Sequence, residues 1–145
     1  MQITGLRLQN LSSWTMFIFG ILACALGLVG LIRPETTLSL LNFEVIERTQ
    51  RASGDYSLVF LVASSMASFN MGVYYMLAAL SNMKRFYWWT VPFRIVTFTV
   101  FMLIVVNDIA PQGFIGVGLW ELFGALATGA ALLYERNKTD VPAHS

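Results

Sequence analysis

The sequence predicts an all-α integral membrane protein: four transmembrane helices in an antiparallel bundle, with a short interfacial helix between the first and the second. Three observations predict it. Hydrophobic residues fill 57% of the 145 positions. Charged residues fill only 12%, about half the roughly 25% of an ordinary soluble domain. The apolar residues are also gathered into four runs, each close to the roughly 20 helical residues that cross a hydrocarbon core of about 30 Å. Water is absent from that core, so each run must satisfy its own amide groups, as a helix does.

The first span is Ser13 to Ile32, made of apolar or small residues and stopped by Arg33-Pro34. Its apolar run is longer than a signal-peptide core and no A-x-A site follows, so it is expected to be retained. In the long connection 33–55, Leu38, Leu41, Phe43 and Val45 fall on one side at helical spacing, the pattern of a helix lying on the bilayer surface. "ERTQRASGD" then reads as a polar turn, with Asp55 placed to cap the next helix. The second span is Tyr56 to Leu80 and carries Ser57, Ser64, Ser65, Ser68 and Asn70. The third is Tyr87 to Val106, with Arg94 inside and Pro92 expected in its first turn or two, where a missing N–H costs little. The fourth is Ile115 to Leu133, with Glu121 inside. "SNMKR" and "NDIAPQG" are short, which makes neighbouring spans hairpins. The tail 134–145 is polar and expected to fray. Residues 1–145 form a single membrane domain without internal repeats.

Basic residues set the expected orientation. Arg7, Lys84, Arg85, Arg136 and Lys138 share one side, and Arg33, Arg48 and Arg51 the other. The larger group places both termini in the cytoplasm. Tyr87, Trp88 and Trp89, with Trp14, then form an aromatic belt at that interface.

Several function classes drop out. A net charge of +1 gives no field to recruit nucleic acid. The single cysteine, Cys24, and the single histidine, His144, are too few for a metal site or a disulfide within the chain. No cofactor motif is present, so no cofactor and no metal are expected.

Charged side chains inside a span are rare and face a partner or a polar cavity. Here there is one of each sign. A rise of 1.5 Å per residue puts Arg94 about 10 Å from one end of its span and Glu121 about 9 Å from the opposite end, an axial gap of roughly 10 Å. Asn70 lies about 21 Å down the second span, level with Arg94. Ser64 and Ser65 fall near the level of Glu121. Tyr74 is one turn from Asn70 and Thr97 close to one turn from Arg94. The candidate ligand-binding set is therefore Arg94, Glu121, Asn70, Ser64 and Tyr74, with Glu121 the one candidate catalytic acid. Snorkelling of Arg94 to nearby headgroups is the competing explanation for that residue. Without a partner Glu121 would hold its proton, and a neutral buried acid can donate a hydrogen bond or a proton.

The layout resembles small four-helix membrane proteins of the DoxX-like kind. The resemblance spans roughly 13–134 and rests on "LIRPE", "ASFNMGVYYML", "PFRIVTF" and "ELFGALATGAALL". It implies association with a membrane partner or redox system, and carries over no functional residues.

Two functions compete. One is a non-catalytic accessory protein or subunit of a membrane complex. It would meet a membrane partner or a second copy through the small-residue pairs Gly20/Cys24, Ala23/Gly27, Gly124/Thr128 and Ala125/Gly129. The other is an intramembrane binder or isomerase of a sterol-, quinone- or isoprenoid-like molecule, with Glu121 as acid and Arg94 and Asn70 orienting. It predicts an apolar cavity beside Glu121.

Overall fold

The structure is a computed structural model that describes residues 7–139. Five α-helices follow in order: α1 Leu11–Ile32, α2 Pro34–Leu40, α3 Ser57–Leu80, α4 Lys84–Val106 and α5 Ile115–Thr139. Single 3-10 turns stand at Arg48–Gln50 and Gln112–Phe114, and no strand occurs among the described residues. The four long helices are each long and apolar enough to cross a membrane. Their outer faces carry large exposed apolar side chains such as Phe60, Val96, Leu103 and Phe123. The chain is a helical, multi-pass membrane protein. His144 lies outside the described residues.

Glycine decides how α1 and α3 meet. A Cβ on Gly27 would stand 2.6 Å from the Phe69 amide nitrogen and 2.8 Å from the Ser65 carbonyl oxygen. One on Gly72 would stand 2.6 Å from the Cys24 nitrogen. Backbone thus rests on backbone, as small-xxx-small faces permit in lipid. The Ser68 hydroxyl adds a bond to the Ala23 carbonyl at 3.1 Å, and the Cys24 thiol reaches the Phe69 carbonyl at 3.4 Å.

The second close pair is α4 with α5. α1 joins the two pairs: Phe19 packs on Trp120 with ring centroids 4.6 Å apart, and Thr15 meets Thr128 at 3.2 Å. Met16, Ala78, Ala79, Tyr87 and Leu132 form the buried core near the α3–α4 turn. There the Tyr87 hydroxyl donates to the Ala78 carbonyl at 2.9 Å. Away from that turn the backbones of α3 and α4 do not pack, and a cleft opens between them.

Three helices end alike. Asn42, Asn82 and Asp108 take left-handed φ values of 61°, 49° and 56°. In each case the next amide reaches back to the helix: Phe43 to Leu38, Met83 to Ala78 and Ile109 to Ile104, at 2.9, 3.0 and 2.9 Å. Asn and Asp tolerate this backbone better than other non-glycine residues. Asn42 therefore stops α2 at Leu40, so the expected continuous stripe through Phe43 and Val45 is broken and Val45 is exposed.

Three further expectations are corrected. α4 starts at Lys84, so Pro92 lies inside the helix rather than in its first turns. It removes the bond to the Trp88 carbonyl there. Asp55 does not cap its helix as the N-cap residue, a position held by Tyr56. Its carboxylate instead accepts the Ser57 amide at 2.9 Å. The polar tail does not begin at the end of its helix: residues 140–145 of the tail lie outside the described residues, and α5 runs past Leu133 to Thr139. Glu135 holds it there, accepting the Ser12 amide and hydroxyl at 2.7 and 2.9 Å and pairing with Lys84 at 2.9 Å.

Candidate functional site

The cleft between α3 and α4 is a cavity of about 820 Å³, within the range of small-molecule sites. α1 and α5 form its floor through Ala23, Leu26, Val117 and Glu121. α2 closes one end with Thr37, Leu40 and Leu41. On α3 the lining residues Ser64, Ser68, Met71 and Tyr75 recur at spacings of four, three and four, one helical stripe. Facing them, α4 contributes Phe86, Trp89, Thr90, Phe93, Arg94, Thr97 and Phe101.

Arg94 is the charged centre of this wall. It is only 4% exposed, so it does not snorkel to the headgroups. Its guanidinium carbon lies 4.4 Å from the Phe19 ring centroid and 4.9 Å from that of Tyr75, within cation–π range. Gly124 makes the space for it, because a Cβ there would coincide with Nη1. Glu121 Oε2 stands 3.8 Å from Nε, an ion pair but too long for a hydrogen bond. Nε and Nη1 are both buried with no hydrogen-bond partner among the described residues.

The serines and threonines around the cavity behave differently. Ser64 and Ser65 both donate to the Leu61 carbonyl, at 2.9 and 2.8 Å. Ser68 donates to Ala23, Thr90 to Tyr87 and Thr97 to Phe93. Their protons are spent on backbone carbonyls. Thr37 is the exception: its Oγ1 is buried and has no hydrogen-bond partner among the described residues.

Of the candidate set, Arg94, Glu121 and Ser64 line one cavity, as do Ser65 and Thr97. Asn70 and Tyr74 do not line it. Asn70 is half-buried on α3, and Tyr74 is 56% exposed. The partner that α3 gives Arg94 is Tyr75, one position on. Phe19, Gly124 and Thr37 were also missed. The 64/68/71/75 stripe could have led to Tyr75; Gly124 is marked locally only as half of the small-residue pair with Thr128, and nothing local marks Phe19.

Compared with protein-family models, with curated proteins and with solved structures, the chain matches none.

Proposed function

We propose that the protein is a four-span antiparallel bundle that binds a lipophilic molecule of sterol-, quinone- or isoprenoid-like character. The ligand enters sideways from the bilayer between α3 and α4, and its oxygen accepts hydrogen bonds from Arg94. One observation carries this: a buried guanidinium on the wall of an 820 Å³ cavity has two nitrogens, Nε and Nη1, without hydrogen-bond partners among the described residues. A buried donor left unmade costs about 1–3 kcal/mol, and an acceptor oxygen in the cavity removes that cost. Glu121 keeps the site near neutral, so a carbonyl, hydroxyl or ether oxygen suits it better than a carboxylate. Among the described residues Glu121 is also the one carboxylate lining the cavity, and we assign it to orienting Arg94 and the ligand rather than to turnover.

Further parts of the proposal rest on sequence. The five-to-three split of basic residues supports cytoplasmic termini. α2, amphipathic and next to Arg33, is assigned to the interface. Kinship with DoxX-like proteins is proposed on the four segments quoted above. An accessory-subunit role drew on the small-residue faces, and Gly20, Gly27 and Gly72 are already engaged between α1 and α3.

A long-chain alcohol carrying a photoreactive diazirine tests the proposal in native-like membranes. Adducts should concentrate on cavity residues such as Met71, Thr97 and Phe101, and fall about tenfold in Arg94→Gln. Uniform labelling of lipid-facing residues, with no enrichment in the cleft, would overturn it.

A further inference from the structure

We infer that the ligand carries a second oxygen, at the end away from Arg94, and that Thr37 on α2 reads it. This rests on the lipophile-binding proposal and narrows its ligand class. Thr37 and Arg94 line the same cavity. Of the six serines and threonines there, only Thr37 keeps an uncommitted hydroxyl, buried and without a partner among the described residues. Tyr75 and Trp89 also carry donors, but both stand toward the Arg94 end: Tyr75 touches Arg94, and Trp89 lies five residues before it on α4.

The separation follows from the two helices that frame the cavity. Thr37 sits against Gly30 and Ser65, since a Cβ on Gly30 would lie 3.2 Å from Thr37 Oγ1 and closer still to the Ser65 hydroxyl. Arg94 sits against Phe19 and Tyr75. From Phe19 to Gly30 along α1 the rise is about 17 Å, and from Ser65 to Tyr75 along α3 about 15 Å. The apolar side chains of Leu26, Leu61 and Met71 lie along the cavity with them. The matching chemistry is an elongated hydrocarbon body with an oxygen at each end, about 15 Å apart. A terminally hydroxylated aliphatic chain and a rigid polycyclic body with an oxygenated tail both satisfy it.

α2 is held for this task. Pro34 is buried at its first position, and Glu35 is bonded to Arg48 at 2.6 Å. It closes one end of the site while it packs on α1.

The test is competition against the photoreactive alcohol with linear α,ω-diols of increasing length, mono-alcohols of equal length, and sterols with and without a side-chain hydroxyl. The wild-type protein should prefer the diol that spans about 15 Å over its mono-alcohol by about tenfold. Thr37→Val should erase that preference. The sterol pair decides between a rigid and a flexible body. Equal binding of diol and mono-alcohol at every length would overturn the second oxygen and leave the Arg94 site standing. Failure of every competitor to reduce labelling would overturn both.

Discussion

Arg94 Nη1 occupies the space that a side chain on Gly124 would take. The cation on α4 is therefore seated by an absent methyl group on α5. Gly124→Ala should expel the guanidinium, because the same Cβ would also stand 2.9 Å from the Phe19 ring. Overpacking of this kind costs about 1–3 kcal/mol. Loss of photolabelling together with a clear fall in thermal stability is the expected result, since the pair with Glu121 is broken as well.

Arg94 and Glu121 should be coupled in stability. Removing one member of a buried pair leaves a charge unanswered and costs about 3–5 kcal/mol, and somewhat less here because the Glu121 side chain is 24% exposed. Glu121→Leu or Arg94→Leu alone should each be strongly destabilising in detergent unfolding. The double variant should be milder than the sum, and a double-mutant cycle measures the coupling. Additive effects would mean that the two charges do not act as a pair.

Glu135 should hold the start of α1. Its carboxylate accepts two bonds from Ser12 and pairs with Lys84, and its side chain is 13% exposed. Hydrogen bonds to a charged group contribute about 1.5–3 kcal/mol each. Glu135→Gln should lower stability by about 2 kcal/mol and speed hydrogen exchange at the Ser12 and Ser13 amides. Exchange elsewhere on α1 should change little.

The segment after α2 should respond to acid. The hydrogen bond from Arg48 holds the Glu35 carboxyl below its ordinary 4.5. A carboxyl depressed by folding contributes stability that is complete above its unfolded value and is lost as pH falls through the folded one. The Arg48 Nε–H resonance should stay protected above about pH 4.5 and lose protection only below it. Asp55, lowered by its bonds from Ser57, should behave in the same sense.

Hydropathy made the four spans legible, because lipid allows few alternatives to a long apolar helix. It also exposed Arg94 and Glu121, since charge in such runs is rare. Depth was less legible. Counting from Tyr87 put Arg94 about 10 Å into its span; counted from Lys84, where α4 begins, it is about 15 Å in. That roughly halves the expected axial gap to Glu121, and the two side chains span the rest, with 3.8 Å between Nε and Oε2. Asn70 and Tyr74 share a face, but Tyr75, about 100° around the helix, belongs to the stripe that lines the cleft. Gly124 and Phe19 act through contacts between distant segments, which no local pattern records. The Asn82 and Asp108 turns were readable as loops, yet their left-handed backbone depends on how each helix terminates.

The most direct measurement is mass spectrometry of the lipophilic molecules that remain with the protein after purification in mild detergent. Wild-type protein should retain an oxygenated lipophile at close to one per chain, and Arg94→Gln should lose it while keeping its helical content. Retention of the same molecule in the same amount by both proteins, or bulk lipid alone in the wild type, would contradict the account.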